Sequence, residues 1–145
     1  MPGVAHWVHD LHQQGWLQAV ASAAPRANID VVLEGLKATH FFQGIVSAED
    51  VHHGKPDPEV YLIAASRVGV APERCIVVED AVAGVEGASR AGMRSIGVNR
   101  NGKRLPADVV VQSLELLDAD AFDKLLSEKC CTAATSSAET RYSNT

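Results

Sequence analysis

Val4, Trp7, Val8 and Leu11 recur at steps of three and four before Gly15, a spacing that gathers apolar side chains on one face of a helix. The same period returns in Ile29, Val32, Leu33 and Leu36 after Pro25, in Tyr61, Ala64, Ala65 and Val68, and in Phe122, Leu125 and Leu126. Between these segments lie apolar runs too short for helices: LQAVA at 17–21, GIVSA at 44–48, CIVVE at 75–79, RSIGV at 94–98 and DVVVQ at 108–112. Runs rich in valine and isoleucine, without polar alternation, predict strands buried on both faces. Punctuation agrees with this division. Asp57 is expected to cap a helix with Pro58 at its first position and Glu59 in its first turn, and Gly69 to stop it.

Strands alternating with helices predict an α/β fold: a three-layer, Rossmann-like core with a parallel sheet covered on both sides. Residues 1–128 make one domain, with no internal repeat and no linker to divide it. The remainder, 129–145, has low hydrophobicity and no period, and is expected to be a disordered tail. Thirteen basic against eighteen acidic residues give a net charge of -5, which argues against nucleic acid and anionic membrane surfaces as partners. No apolar run approaches the roughly 18 residues of a membrane span, and the first residues lack a signal-peptide pattern, so a cytoplasmic location is expected. Cys75 opens an apolar run and reads as a small buried residue. Adjacent Cys130 and Cys131 add neither a disulfide framework nor a metal-binding spacing.

In open parallel sheets ligands bind beyond the carboxyl ends of the strands. Ser22 follows LQAVA, Lys55 lies in the loop after GIVSA, and Glu79 and Asp80 close CIVVE. A hydroxyl, an ammonium and a carboxylate pair at one mouth suit a phosphate and a hard cation, since Mg²⁺ takes one or two carboxylates and completes its shell with water and phosphate oxygens. Each residue also has a plainer reading. Ser22 is the kind of loop residue that satisfies its own backbone, Lys55 a surface charge, and Asp80 an N-cap for a helix beginning near Ala81. Against these, Gly54 allows close backbone approach and Pro56 biases Lys55 towards an extended backbone, fixing its direction. A carboxylate pair ending a buried strand needs a compensating cation or donor. His6, His9 and His12, three apart, drift round a helix by about 60° per step and read as an exposed surface. His52 and His53, before Gly54, read as solvated.

Together, AVASAA with Ser22, GKPDPEVYLIAA with Lys55 and CIVVEDAVAGVEGASRAGM with Glu79 and Asp80 resemble the haloacid dehalogenase-like superfamily, nearest its β-phosphoglucomutase and sugar-phosphate phosphatase branch. The resemblance covers about residues 2–112, and ordered motifs at this spacing are more specific than any one alone. It implies that Ser22 and the backbone N–H of Ala23 hold a transferring phosphoryl group, that Lys55 neutralises charge on that group and on the nucleophile, and that Glu79 and Asp80 anchor Mg²⁺. Ser22 and Lys55 are thus the implied catalytic residues, and Gly84 is expected in the turn entering the next helix. The implied partner is a small phosphorylated metabolite.

The family's reaction starts from an aspartate that forms an aspartyl-phosphate, with a second aspartate two residues later protonating the leaving group, both on a DxDG[TV] motif ending the first, central strand. That motif does not occur in this sequence. Met1 falls where the family already has the helix before its second strand, so the first strand, the nucleophile and the substrate-selecting cap are expected to be missing. The consequence is either an open slot between LQAVA and CIVVE or a direct pairing of those strands. Asp118 and Asp120, two apart in LELLDADAFDKLL, imitate the motif, but no glycine or threonine follows and the flanking leucines fit helical faces; they read as solvated helix-start residues. The expectation is a Mg²⁺-dependent phosphatase or phosphomutase core, inactive as an isolated chain unless an N-terminal complementing segment supplies the aspartate. The alternative is a non-catalytic phosphate-binding or interaction protein.

Overall fold

A computed structural model describes residues 1–134, with side chains through Ser127. In chain order the elements are α1 (Val4–Gln13), β1 (Ala19–Ala21), α2 (Arg26–Gly35), β2 (Gly44–Val46), α3 (Glu59–Val68), β3 (Ile76–Glu79), α4 (Val82–Arg90), β4 (Arg94–Val98), β5 (Val109–Val111) and α5 (Ala121–Ala134). Each apolar run therefore holds a strand, and each helical period a helix. At α3 the Asp57 Oδ1 accepts the Glu59 N–H at 2.9 Å, and Gly69, at φ 69°, ends the helix in the left-handed region that glycine reaches without strain.

Helices cover both faces of the strands, giving three layers. On one face Trp7 and Leu11 of α1 and Phe122 and Leu125 of α5 pack on Ile96, Val98 and Val111. The Trp7 indole donates to the Leu114 carbonyl at 2.8 Å, so its one polar group is satisfied inside this core. On the other face Val60, Ala64 and Ala65 of α3 pack with Ala88 of α4, Val46 and Met93. β4, between the two cores, is buried at four successive positions from Ser95 to Val98, which explains why RSIGV carries little polar character.

The single sheet expected from the sequence is divided in two among the described residues. β1 pairs with β2, and β3, β4 and β5 pair in that order, every pairing parallel. β1 and β3 do not pair; a cavity of about 790 Å³ lies between them, with Trp7, Leu11 and Phe122 on one wall and Tyr61, Ala64 and Ala65 on the other. Of the two outcomes expected for a missing central strand, the open slot is the one observed.

Three expectations change. α5 runs to Ala134, past the predicted boundary at 128, and the rest of the expected tail, 135–145, lies outside the described residues. Cys75 is half-buried rather than buried, its thiol donating to the Ala71 carbonyl at 3.4 Å. His12 is half-buried with its ring edge-on to Phe41, centroids 5.1 Å apart, whereas His6 and His9 are exposed as expected. Asp118 and Asp120 lie on the surface before α5, each facing Lys124. Among the described residues no helix is long and apolar enough to cross a membrane.

Candidate functional site

β3 ends at Glu79 and α4 starts three residues later, so the carboxylate sits where the first N–H groups of the helix emerge. Glu79 Oε2 accepts the N–H groups of Asp80 and Ala81 at 3.1 and 3.2 Å. Its other oxygen, Oε1, accepts the Tyr61 hydroxyl at 3.0 Å and the Lys55 ammonium. Lys55 Nζ also lies 5.2 Å from the centre of the Tyr61 ring, within reach of its π face. The pair is sheltered, with side-chain exposures of 20% for Lys55 and 12% for Glu79, so water screens it less than a surface pair. Burial, reinforced by the neighbouring Glu79 charge, pushes the Tyr61 phenol well above its ordinary range and keeps it a donor.

Two glycines make room for this cluster. Gly84 lies inside the first turns of α4 and not in the turn before it, because the helix already begins at Val82. A Cβ there would overlap the Glu79 carboxylate. Gly87, one turn on, lets α4 approach the Tyr61 ring, which a Cβ would meet at 3.0 Å.

The loop carrying Lys55 is pinned from below. Glu59, first residue of α3, accepts the backbone N–H groups of His52 and His53 at 2.8 and 3.1 Å, and both imidazole Nδ1 atoms lie within 3.2 Å of its oxygens. The His52 N–H foremost, against a partial cost of burial, holds the Glu59 carboxyl down to about 2. The histidines are exposed but oriented, and they fix the loop three residues before Lys55.

Asp80 points elsewhere. Its Oδ2 accepts from Arg100 at 2.9 Å, in a shallow cleft with Asn99, Asn101 and Lys103. Ser22 follows β1, where its N–H donates to the Val46 carbonyl at 3.0 Å and its Oγ accepts the Ala24 N–H at 3.1 Å; Ala23 is exposed beside it. The structure thus brings Lys55 and Glu79 together, sets Asp80 next to them with a different partner, and gives Ser22 the local backbone role as well. Among the described residues no hydrogen bond joins Ser22 or Ala23 to Lys55 or Glu79.

Tyr61 and Arg100 were missed as parts of the cluster. Tyr61 sits on the apolar face of α3 and reads as core until its hydroxyl finds Glu79, and Arg100 carries no signal in sequence. For a divalent cation the two carboxylates are unequal. Both Glu79 oxygens already face donors, whereas Asp80 Oδ1 has no described bond, so Asp80 fits direct ligation and Glu79 fits the anchoring of Lys55.

A family model described as haloacid dehalogenase-like hydrolase matches residues 1–98. The chain belongs to that family. Within it, this haloacid dehalogenase-like chain is 36% identical over 124 residues to hexitol phosphatase B of Escherichia coli, covering 82% of the chain and 56% of that protein. It is 34% identical over 122 residues to the β-phosphoglucomutase of Bacillus subtilis, covering 81% and 53%. The crystal structure of a β-phosphoglucomutase from Clostridium difficile superposes with a TM-score of 0.80 at 28% identity, over 90% of this chain and 58% of that one. That similarity confirms the α/β architecture, and the relatives set the chain in the sugar-phosphate phosphatase branch. The chain spans little more than half the length of each of these relatives.

Proposed function

We propose that this chain is the phosphate- and Mg²⁺-binding part of a hydrolase or phosphomutase for small phosphorylated metabolites such as sugar phosphates. The observation that carries the reading is the Lys55 ammonium, sheltered and held by a carboxylate that accepts from four donors at the end of a parallel strand. An ammonium has three donors; one goes to Glu79, which leaves two for phosphoryl oxygens. Ser22 Oγ accepts from Ala24, so its own O–H is free to donate to the same group beside the Ala23 N–H. Asp80 is assigned to Mg²⁺, which when bound would neutralise phosphoryl charge, and Glu79 to positioning Lys55. The names of the relatives, a hexitol phosphatase and a β-phosphoglucomutase, support the substrate class.

These groups bind and polarise a phosphate, but phosphoryl transfer in this manner also needs an attacking carboxylate. We assign that aspartate to an N-terminal complementing segment and expect residues 1–145 alone to turn nothing over. Calorimetric titration with inorganic phosphate and Mg²⁺ tests the binding half: affinity should fall at least about tenfold in Lys55→Ala, the loss of one charge-assisted hydrogen bond, and the Mg²⁺ dependence should vanish in Asp80→Ala. Wild-type affinity in both variants would end the proposal. The second reading, a non-catalytic phosphate-binding protein, is favoured by a Glu79 carboxylate whose hydrogen bonds hold Lys55 in place without any aspartate nucleophile; it stands if phosphate binds but a supplied aspartate-bearing segment gives no hydrolysis of sugar phosphates.

A further inference from the structure

The turn between β2 and α3 folds back on itself. The Asp57 N–H donates to the Gly54 carbonyl at 3.0 Å, and Asp57 Oδ1 caps α3 through the Glu59 N–H, which gathers His52, His53, Asp57 and Glu59 from one short stretch of chain. His53 Nδ1, an Asp57 carboxylate oxygen and a Glu59 carboxylate oxygen all lie within 4.8 Å of one another, with His53 Nδ1 3.0 Å from Glu59 Oε2. Across the same carboxylate, His52 Nδ1 lies 3.2 Å from Oε1. The His52 and His53 N–H groups hold the carboxylate from the backbone, one bond to each oxygen, and each oxygen keeps a second lone pair for the ring side. Both imidazoles are exposed, so an ion reaches them from solvent. Among the described residues neither Asp57 nor Glu59 pairs with a lysine or arginine, and the Glu59 charge faces imidazoles instead.

We propose that His53, Asp57 and Glu59 form a binding site for one divalent transition cation of the zinc class, separate from the Mg²⁺ assignment at Asp80. The inference rests on the geometry of this cluster and not on the phosphoryl-transfer reading. Ligand atoms each about 2.0–2.2 Å from a tetrahedral Zn²⁺ lie roughly 3.3–3.5 Å from one another. His53 Nδ1 and Glu59 Oε2 are already close to that separation, and the widest pair needs to close by at most about 1.5 Å. The donors set the class of ion: an imidazole with two carboxylates suits zinc, cobalt or nickel, whereas Mg²⁺ takes oxygen ligands. Three protein ligands leave a fourth position for water. The ion replaces the contact between ring and carboxylate. The neutral His53 ring keeps its proton on Nε2, and the Nδ1 lone pair goes to the metal. The two backbone bonds to Glu59 persist and orient it as a ligand, while His52 stays on the opposite oxygen. A bound ion thereby ties His53 to the start of α3 and tightens the loop that carries Lys55.

The test uses the untagged full chain carrying Cys130→Ser and Cys131→Ser, which removes competing thiols, with Zn²⁺ alone as the probe. Calorimetric titration should find one zinc per chain, and nitrogen NMR of the imidazoles should place the largest shift at His53 Nδ1. His53→Gln alters an exposed ring and Glu59→Gln keeps acceptors for the loop N–H groups, so both variants should fold, as circular dichroism would verify. Each should lower zinc affinity at least about tenfold, since changes to groups that merely surround a metal already cost that much. Asp80→Asn and His12→Gln should bind zinc as the parent does, and excess Mg²⁺ should not displace it. Parental zinc affinity in both His53→Gln and Glu59→Gln overturns the proposal. Loss of binding in Asp80→Asn would assign zinc to the Asp80 cleft, and displacement by Mg²⁺ would remove the case for a nitrogen ligand; either result also overturns it. No phosphate is present in these titrations, so the phosphate-binding proposal stands or falls separately.

Discussion

Replacing the buried Gly84 by alanine should damage the candidate site from behind. The added Cβ would occupy the space of the Glu79 carboxylate. That carboxylate cannot swing aside freely, because Lys55, Tyr61 and the Asp80 and Ala81 N–H groups hold it. A typical hydrogen bond contributes about 0.5–1.5 kcal/mol net, and one to a charged group about 1.5–3. If the displaced carboxylate keeps the backbone donors and loses Lys55 and Tyr61, the cost is roughly 2–4 kcal/mol, a large part of the stability of a chain this size. Urea unfolding followed by circular dichroism would read that loss, with the midpoint falling and the slope unchanged. Phosphate affinity should fall in parallel, since an unanchored Lys55 no longer points into the site. Wild-type stability and wild-type phosphate binding in Gly84→Ala would show that Glu79 is free to move, and the positioning role given to it would be lost.

Tyr61→Phe keeps the ring and removes one bond to Glu79, and should cost about 1 kcal/mol in the same unfolding assay. The Glu59 carboxyl is held below its ordinary value, so the clamp on the 52–59 loop contributes fully above pH 4.5 and is lost as pH falls towards about 2; a carboxyl titration by NMR should find a midpoint near 2 that rises in His52→Ala, His53→Gly double variants without their oriented rings. Asp108 accepts from Arg94 at 3.1 Å and from the buried Ser95 N–H at 2.8 Å, so Asp108→Ala should destabilise by about 2–3 kcal/mol, and an unchanged urea midpoint would contradict that. Asp118→Ala, by contrast, alters a side chain that is 82% exposed and should stay within about 0.5 kcal/mol of wild type, with phosphate binding unaffected.

Much of this molecule follows from local pattern. Runs such as CIVVE and RSIGV point to strands because they are short, apolar at successive positions and bounded by turn residues, although only β4 is buried at four successive positions and Val78 of β3 is exposed, and Gly69 marks the end of α3 because few other residues reach its left-handed backbone. The ordered motifs around Ser22, Lys55, Glu79 and Asp80 likewise carry the family in the chain itself. Tertiary structure alone decided how these groups are used. Whether Glu79 meets a lysine or a metal depends on which way one side chain turns, and Tyr61, remote in sequence and apolar by position, supplies a hydroxyl to it. Arg100 captures Asp80 across a gap of twenty residues, and the slot between β1 and β3 exists only because two strand edges confront each other in space. Sequence periodicity fixes which face of an element is apolar; it carries no term for the distance between elements, and charge pairing and edge pairing are set by that distance.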